Sequence, residues 1–437
     1  MTTINGDVVR QHPSLGSRRR DRVRSPSAVS DQDRFALTVA CLAVCGLPLL
    51  LPNGPGNFTP SDMLILAAIG AGLMWAASTQ VTLSMPYKLG VGTMATAGMV
   101  AGLAGRWPGL ALLSVLQDLF LLGWAAVIAS LLRTSAAVDI LLRVWTYSAV
   151  AWAAVFVAGT TRTAVTAGAH ATRAGFTFGD QNGAGLYFVL SFLVMVAAGR
   201  PRSRVVRASL GSLFLVATLY TGSLGAMSGL LLGLAAALAL GVRDRRGLPA
   251  AIAISAALLL AAASVTLIVQ RSNLIAAAHE SSNSLIRNSI GRGAQSSSER
   301  AALRQETYAL WRSSDVIGSG PTSTKNLLLA EQAPYPKEAH NDWLATLVER
   351  GILGAVGLTL LVIELAIRAK RVSARTQLDA PLHAVLLRPA HLTGGLVCVL
   401  AFSFTHEVLH DRTAWTLFGL IAAVALTRTP SERGVST

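Results

Sequence analysis

Apolar residues gather in long blocks separated by polar gaps, with neither the period of two expected of strands nor the narrow stripe of a soluble amphipathic helix. A bilayer core about 30 Å thick asks for roughly 20 mostly apolar residues per crossing helix. About twelve blocks meet that length, near 35–52, 60–78, 88–105, 108–132, 138–159, 183–199, 205–221, 224–242, 249–270, 351–370, 390–407 and 413–428. The fourth is long enough to tilt or to continue past the bilayer. The block at 35–51 has no small-residue cleavage site leading into a soluble domain, so it reads as the first membrane helix and not as a signal peptide. The pattern predicts an all-α polytopic membrane protein of about 12 transmembrane helices with a large extracytoplasmic loop that contains short helices.

The polar gaps set the organisation. Residues 1–34 hold seven arginines among Ser, Pro and Asp, with little to bury, and read as a disordered basic cytoplasmic arm. Transmembrane helices 1–9 follow over 35–270, then a polar loop over 271–350, helices 10–12 over 351–428 and a cytoplasmic tail over 429–437. Inside the loop, residues 281–298 are Gly/Ser-rich. From Glu299 onward Arg300, Leu303, Tyr308, Leu310 and Trp311 mix charged and apolar positions at helical spacing, which predicts an amphipathic helix on the outer membrane surface ending near Ser314. The stretch EAHNDWLATLVERGILG at 338–354 marks the return to the bilayer.

Charge gives the orientation. With the N-terminus inside, the cytoplasmic connections collect Lys88, Arg133, Arg200, Arg202, Arg204, Arg207, Arg243, Arg245, Arg246, Arg368, Lys370, Arg371 and Arg375. The short outer connections hold Arg106, Arg162, Arg173 and Arg412, the asymmetry that the positive-inside rule demands. Both termini are then cytoplasmic, and the long connections 160–182 and 271–350 face the exterior. A chain 52% hydrophobic and 14% charged is an integral membrane protein, so its net charge of +15 reflects loop orientation and not a nucleic-acid partner. Cys41, Cys45 and Cys398 lie in apolar runs without metal or disulfide spacing.

Phosphate-loop, HExxH, GxSxG and dinucleotide motifs are absent, which leaves ATP-driven and common hydrolase readings without support. Among ionisable residues within the spans, Arg143 and Glu364 lie near span ends, where snorkelling accounts for them. Asp118 is deeper and reads as a polar group hydrogen-bonded between helices, with a relay role as the alternative. On the outer side, Trp343, Leu344 and Leu347 follow His340 at spacings of three, four and seven, which puts the imidazole on the face a helix would turn toward protein. Asn341 or Asp342 is placed to cap that helix, whose free N–H groups favour phosphate. Glu349, nine residues after His340, falls about half a turn away and ties Gly351 and the next helix together unless the chain bends at Gly351. Asp180 and Asn182 fit helix-start caps as well as substrate ligands. His406 and His410 at i, i+4 lack a third metal ligand.

His340-Asn341, Leu344, Leu347, Glu349-x-Gly351 and Gly354, preceded by GSGPTSTKN and by the Arg-bearing segment ending in Trp311, resemble the O-antigen ligase and Wzy-type polysaccharide polymerase superfamily. Arg173 followed by Gly175, the GDQN turn at 179–182 and TGSLGAMSGLLLG at 221–233 extend the resemblance over about 170–370. Family members commonly carry Arg after the Ser of the TGS turn, where this chain has Leu224. The resemblance implies a GT-C-like membrane fold and a metal-independent, inverting glycosyl transfer needing no cofactor. An undecaprenyl-diphosphate-linked glycan would be moved onto the hydroxyl of an acceptor glycan or glycolipid at the outer face of the cytoplasmic membrane, with envelope-polysaccharide assembly proteins as further partners. His340 and Arg300 are the implied catalytic residues, with Arg173 and Arg304 on the diphosphate and Asn341, Glu349, Asp180 and Asn182 in support. Arginine forks suit phosphate oxygens, and an imidazole suits either accepting the acceptor's proton or orienting it. Headgroup anchoring stays open for Arg300 and Arg173. Ligation and polymerisation share a donor and remain unseparated; a lipid-linked glycan transporter or flippase, and a non-catalytic member, are the alternatives.

Overall fold

The computed structural model describes residues 31–52, 58–167, 176–271, 274–282, 286–287, 293–373 and 378–427. Among them every regular element is a helix: α1 (Asp31–Cys45), α2 (Pro60–Thr79), α3 (Lys88–Ala104), α4 (Pro108–Leu131), α5 (Ser135–Ala167), α6 (Gln181–Ala198), α7 (Arg204–Thr221), α8 (Leu224–Arg246), α9 (Leu248–Arg271), α10 (Leu274–His279), α11 (Gly293–Ser313), α12 (Thr324–Ala330), α13 (Asp342–Ser373), α14 (Ala380–Val385), α15 (Ala390–Ser403) and α16 (Arg412–Leu426). The basic arm at 1–34 falls mostly, and the tail at 429–437 wholly, outside the described residues.

Local chemistry starts and stops these helices. Thr59 and Asp62 form a capping box at α2, and Asp180, Ser203, Ser223 and Asp411 accept backbone N–H groups at the starts of α6, α7, α8 and α16. Gly199 and Gly222, in the left-handed conformation, end α6 and α7. Among the described residues six helices, α2, α4, α5, α6, α8 and α13, are long and apolar enough to cross a membrane by length and composition. Shorter apolar stretches lie at Leu248–Leu258, Ala390–Ser403 and Arg412–Leu426. Two predicted spans shorten for visible reasons. The first helix stops at Cys45, after which Leu50 and Leu51 N–H both donate to Thr177 O at 2.8 and 3.0 Å. The eleventh predicted span stops at Ser403, because the backbone after it bonds to the start of α13.

Tight pairs build the bundle: α3 against α13, α8 against α15, α4 against α16 and α6 against α7. Small residues let backbones approach, as where Gly90 of α3 lies against the Leu361 backbone of α13. Fully buried aromatics fill the core, and their polar ends bond across helices: Trp124 Nε1 to Thr416 Oγ1 at 2.9 Å, Trp145 Nε1 to Ser191 Oγ at 2.9 Å, and Tyr87 OH to Phe418 O at 2.8 Å. Glu364, expected to snorkel, instead accepts from Gly90 N at 3.2 Å, while Arg368 lies over the Tyr87 ring. Arg143 is paired with Asp139, which Arg200 also contacts.

The contacts sort helix ends into two groups. Arg200 with Asp139, Arg388 N with Ala197 O and Arg133 with Thr82 O gather one end, which is rich in arginine. Arg412 with Asp62, Asn341 with Phe404 O and Leu50 with Thr177 O gather the other. At this second end α11 and α12 form a small separate core in which Leu303, Leu310, Leu328 and Val348 are buried against one another. α11 ends at Ser313, one residue from the sequence expectation, with Leu303, Thr307 and Leu310 buried on one face.

Candidate functional site

The chain comes out of the small core through 338–341 and enters α13 by a turn at His340, whose φ is +48°. Histidine is among the residues that tolerate this left-handed conformation, at a cost of about 1–2 kcal/mol. The turn lets Asn341 act as cap, its Oδ1 accepting from Trp343 N at 3.0 Å and Leu344 N at 3.1 Å while its Nδ2 donates to Phe404 O at 3.2 Å. Asp342, buried one residue later, accepts from Val408 N and Leu409 N. Adjacent side chains thus hold the 404–411 loop against the start of α13. That loop presents His406, stacked on Phe402 at 4.5 Å and 5.5 Å from the His340 ring, and Glu407, which is exposed.

Charges converge on His340. Desolvation lowers the pKa of its imidazole below 6.5; the Glu338 carboxylate opposes this, the Arg300 guanidinium adds to it, Asp180 opposes it and Lys337 adds to it. His340 is therefore a neutral imidazole near neutral pH, able to accept a proton. The Glu407 side chain reaches solvent, while protein packed around its carboxyl strips away much of its hydration. That desolvation, with the charges of Glu349, Asp342 and Glu338, pushes its carboxyl well above the usual carboxylate range.

α13 breaks at Gly351, with φ +63° and ψ −161°, a region essentially reserved for glycine. The 316–320 segment repairs the break: Ser319 N donates to Val348 O and Gly320 N to Glu349 O, both at 2.9 Å, while Ile352 N donates to Val316 O at 3.0 Å. Glu349 accepts from Thr322 N at 2.8 Å and from Thr324 Oγ1 at 2.7 Å. Its bend and its ties to the GSGPTST stretch make Glu349 a structural clamp on the loop.

Next to the break lies Arg350, which sequence reading did not single out. It is buried, donating to Asp118 Oδ2 at 2.5 Å and to Ser114 Oγ at 3.3 Å, and Asp118 Oδ1 lies 3.0 Å from His410 Nε2. Asp118 is thus hydrogen-bonded between helices, as expected, with two basic residues as its partners. Losing one member of such a buried pair typically costs about 3–5 kcal/mol. An Arg at the re-entry point and an Asp in an apolar run were the available signal, since charges within membrane depth need partners. Arg412 forks onto Asp62 with bonds of 2.9 and 2.8 Å. His406 and His410 diverge to different partners, and among the described residues no three His, Cys, Asp or Glu side chains group as metal ligands.

The remaining predicted residues separate. Arg300 shares the face of α11 that carries Leu303 and Thr307 and is half-buried, with its charge felt at His340. Arg304 is exposed and turns back to its own helix, Nε donating to Arg300 O at 3.3 Å. Asp180 caps α6 by accepting from Gly183 N at 2.9 Å, and Asn182 Nδ2 donates to Asp180 Oδ1 at 3.3 Å. Arg173 and Gly175 lie outside the described residues. Leu224 begins α8 and is 38% exposed.

Residues 208–359 match the O-antigen ligase family model, a span of about a third of the chain that runs from α7 through the loop to the middle of α13. No curated protein matches the chain. The match makes this part of the chain similar to O-antigen ligases, and the long apolar helices make the chain an integral membrane protein.

Proposed function

We propose that the chain is a polytopic glycosyltransferase of about twelve spans with both termini cytoplasmic. It would transfer or polymerise a glycan from an undecaprenyl-diphosphate donor at the outer face of the cytoplasmic membrane. The observation that carries the reading is the convergence of a neutral His340 with Arg300, Asp180, His406 and Glu407 inside the family-matched region and its packing partners. The acceptor hydroxyl oxygen attacks the anomeric carbon, the bond from that carbon to the diphosphate oxygen breaks, and the electron pair leaves with the diphosphate. The hydroxyl proton goes to His340, and the anomeric configuration inverts. Arg300 offsets the charge that grows on the leaving group, with Arg173 and Arg304 as further diphosphate contacts. Asn341 and Glu349 hold the backbone that carries His340, and Asp180, whose charge reaches His340, is joined to Asn182.

Leu224, where related sequences commonly have arginine, favours one second reading: a member that binds glycan without transferring it. Both readings meet the same test, replacement of His340 by Ala and Arg300 by Ala in cells that make the polymer. The transferase reading expects polymer length or ligated product to collapse at normal protein level. Unchanged polymer in both variants favours the non-catalytic member.

A further inference from the structure

The arginine-rich end of the bundle holds a cavity of about 680 Å³ between the end of α8, the end of α13 and the start of α15. Its origin lies in how two helices part. α8 and α15 are in backbone contact where a methyl built on Gly233 would lie 2.5 Å from Gly394 O, and one on Gly229 would lie 2.9 Å from Cys398 Sγ. Two turns further on, a methyl on Gly241 would have nothing within 4 Å. The wall of α8 in this gap is Leu234, Ala237, Leu238, Gly241 and Val242, spaced three, four, seven and eight residues from the first, so they form one continuous apolar face. The stripe ends at Arg245, about 16 Å from Leu234 along the helix axis.

The mouth is basic. Arg245 and Arg388 are exposed at its rim with His391 beside them, while Asp244, the acidic residue of the lining, lies 3.7 Å from Arg243. Arg388 is held in place through its backbone, N–H donating to Ala197 O and carbonyl accepting from His391 N, both at 3.0 Å. An apolar slot as long as a substantial part of an acyl chain, closed at its deep end by helix contact and crowned by two guanidinium groups, fits one ligand chemistry. Its volume lies within the roughly 300–1,000 Å³ range of ligand pockets.

We infer that this groove binds one anionic glycerophospholipid, an acyl chain lying along the Leu234 to Val242 face of α8 and the phosphate held by Arg245 and Arg388. The leaflet is the one that the arginine-rich end meets, which is the cytoplasmic leaflet in the orientation read from the loops. The site is at the opposite end of the bundle from His340 and does not depend on the transfer reaction.

The test uses the purified full-length chain in detergent, titrated with an equimolar mixture of phosphatidylglycerol and phosphatidylcholine and followed by native mass spectrometry. One tightly held phosphatidylglycerol is expected, about tenfold preferred over phosphatidylcholine. Gly241→Leu fills the slot with a better helix former and should lower that binding at least tenfold. R245A/R388A, changed at two exposed positions, should abolish the preference while leaving weaker binding of both lipids. Equal binding of the two lipids by the unaltered protein overturns the site, as does undiminished preference in R245A/R388A. Inorganic phosphate raising the unfolding temperature as much as phosphatidylglycerol would also overturn it, because the acyl slot would then have no part. If Gly241→Leu does not fold, Leu238→Trp supplies the same filling.

Discussion

At the scale of single residues the account turns on the charge state of His340. Burial is the main force that holds its pKa down; Glu338 pulls it up and Arg300 pushes it down again. An imidazole that must be neutral to take the acceptor's proton loses function only when it is protonated, so the acid limb of the pH profile of kcat/KM should have its midpoint below 6.5. Glu338 is exposed and paired with Lys325 at 3.3 Å, and its carboxylate is the charge felt most at His340. Glu338→Gln removes a charge that favours the imidazolium, so it should move the limb further toward acid and leave the rate at neutral pH nearly unchanged. A limb midpoint at or above 6.5, or one that Glu338→Gln shifts toward higher pH, would contradict the role given to His340. Arg350 teaches a related lesson. The chain around it could be read as a glycine-punctuated return to the membrane, but its partner Asp118 lies more than two hundred residues earlier. Only the packing of α3, α4 and α13 shows that the two charges meet.

At the scale of elements the decisive feature is the broken start of α13. The segments GSGPTST and ERG resemble independent short motifs in the sequence. In the fold they are one device: the 316–320 segment supplies the hydrogen bonds that the helix loses at Gly351, and Glu349 clamps Thr322 and Thr324. A methyl added at Gly351 would lie 2.1 Å from Val316 O and 2.5 Å from Ile317 C, both backbone atoms that cannot step aside. Gly351→Ala should therefore lower the stability of the protein by about 1–3 kcal/mol from backbone conformation alone, with the clash adding to that. Thermal unfolding in detergent measures it, with Gly92→Ala as control, since a methyl there meets nothing within 4 Å. Equal unfolding temperatures for the two variants would show that the break is not held as described. The long apolar blocks were legible because hydropathy and length follow from bilayer thickness alone. The loop at 404–411 was not, because its end is set by Asn341 and Asp342 reaching across from another helix, and local sequence carries no record of a contact sixty residues away. Of the candidate site, the sequence named His340 and Arg300, and the Arg300 charge is felt at His340; it offered His406 only as a possible metal partner of His410, and Glu407 lay hidden at the end of an apolar run.

At the scale of the whole molecule the two ends of the bundle carry different chemistry. One is rich in arginine and opens into an apolar slot. At the other the charges of Arg300, Asp180 and Glu338 act on His340, Glu407 stands close by, and α11 and α12 pack at the same end. A transporter would be expected to place its charged groups along a central path, whereas among the described residues the buried Arg350 and Asp118, with His410, meet at the end of the bundle where α13 begins and are closed by their own hydrogen bonds. In the proposed reaction the chemistry sits at one face and is driven by cleavage of the donor's own bond between the sugar and the diphosphate. The most direct measurement of that claim is incubation of the purified chain with lipid-linked oligosaccharide and candidate acceptors, with no nucleotide and with chelator present, following both the carrier diphosphate and the lengthened product. The account predicts stoichiometric release of undecaprenyl diphosphate with inverted linkage in the product, and a rate about 10²-fold lower or less in His340→Ala. Release and product formation at the same rate in His340→Ala, or absence of both from protein shown to be folded and supplied with its native acceptor, would contradict it.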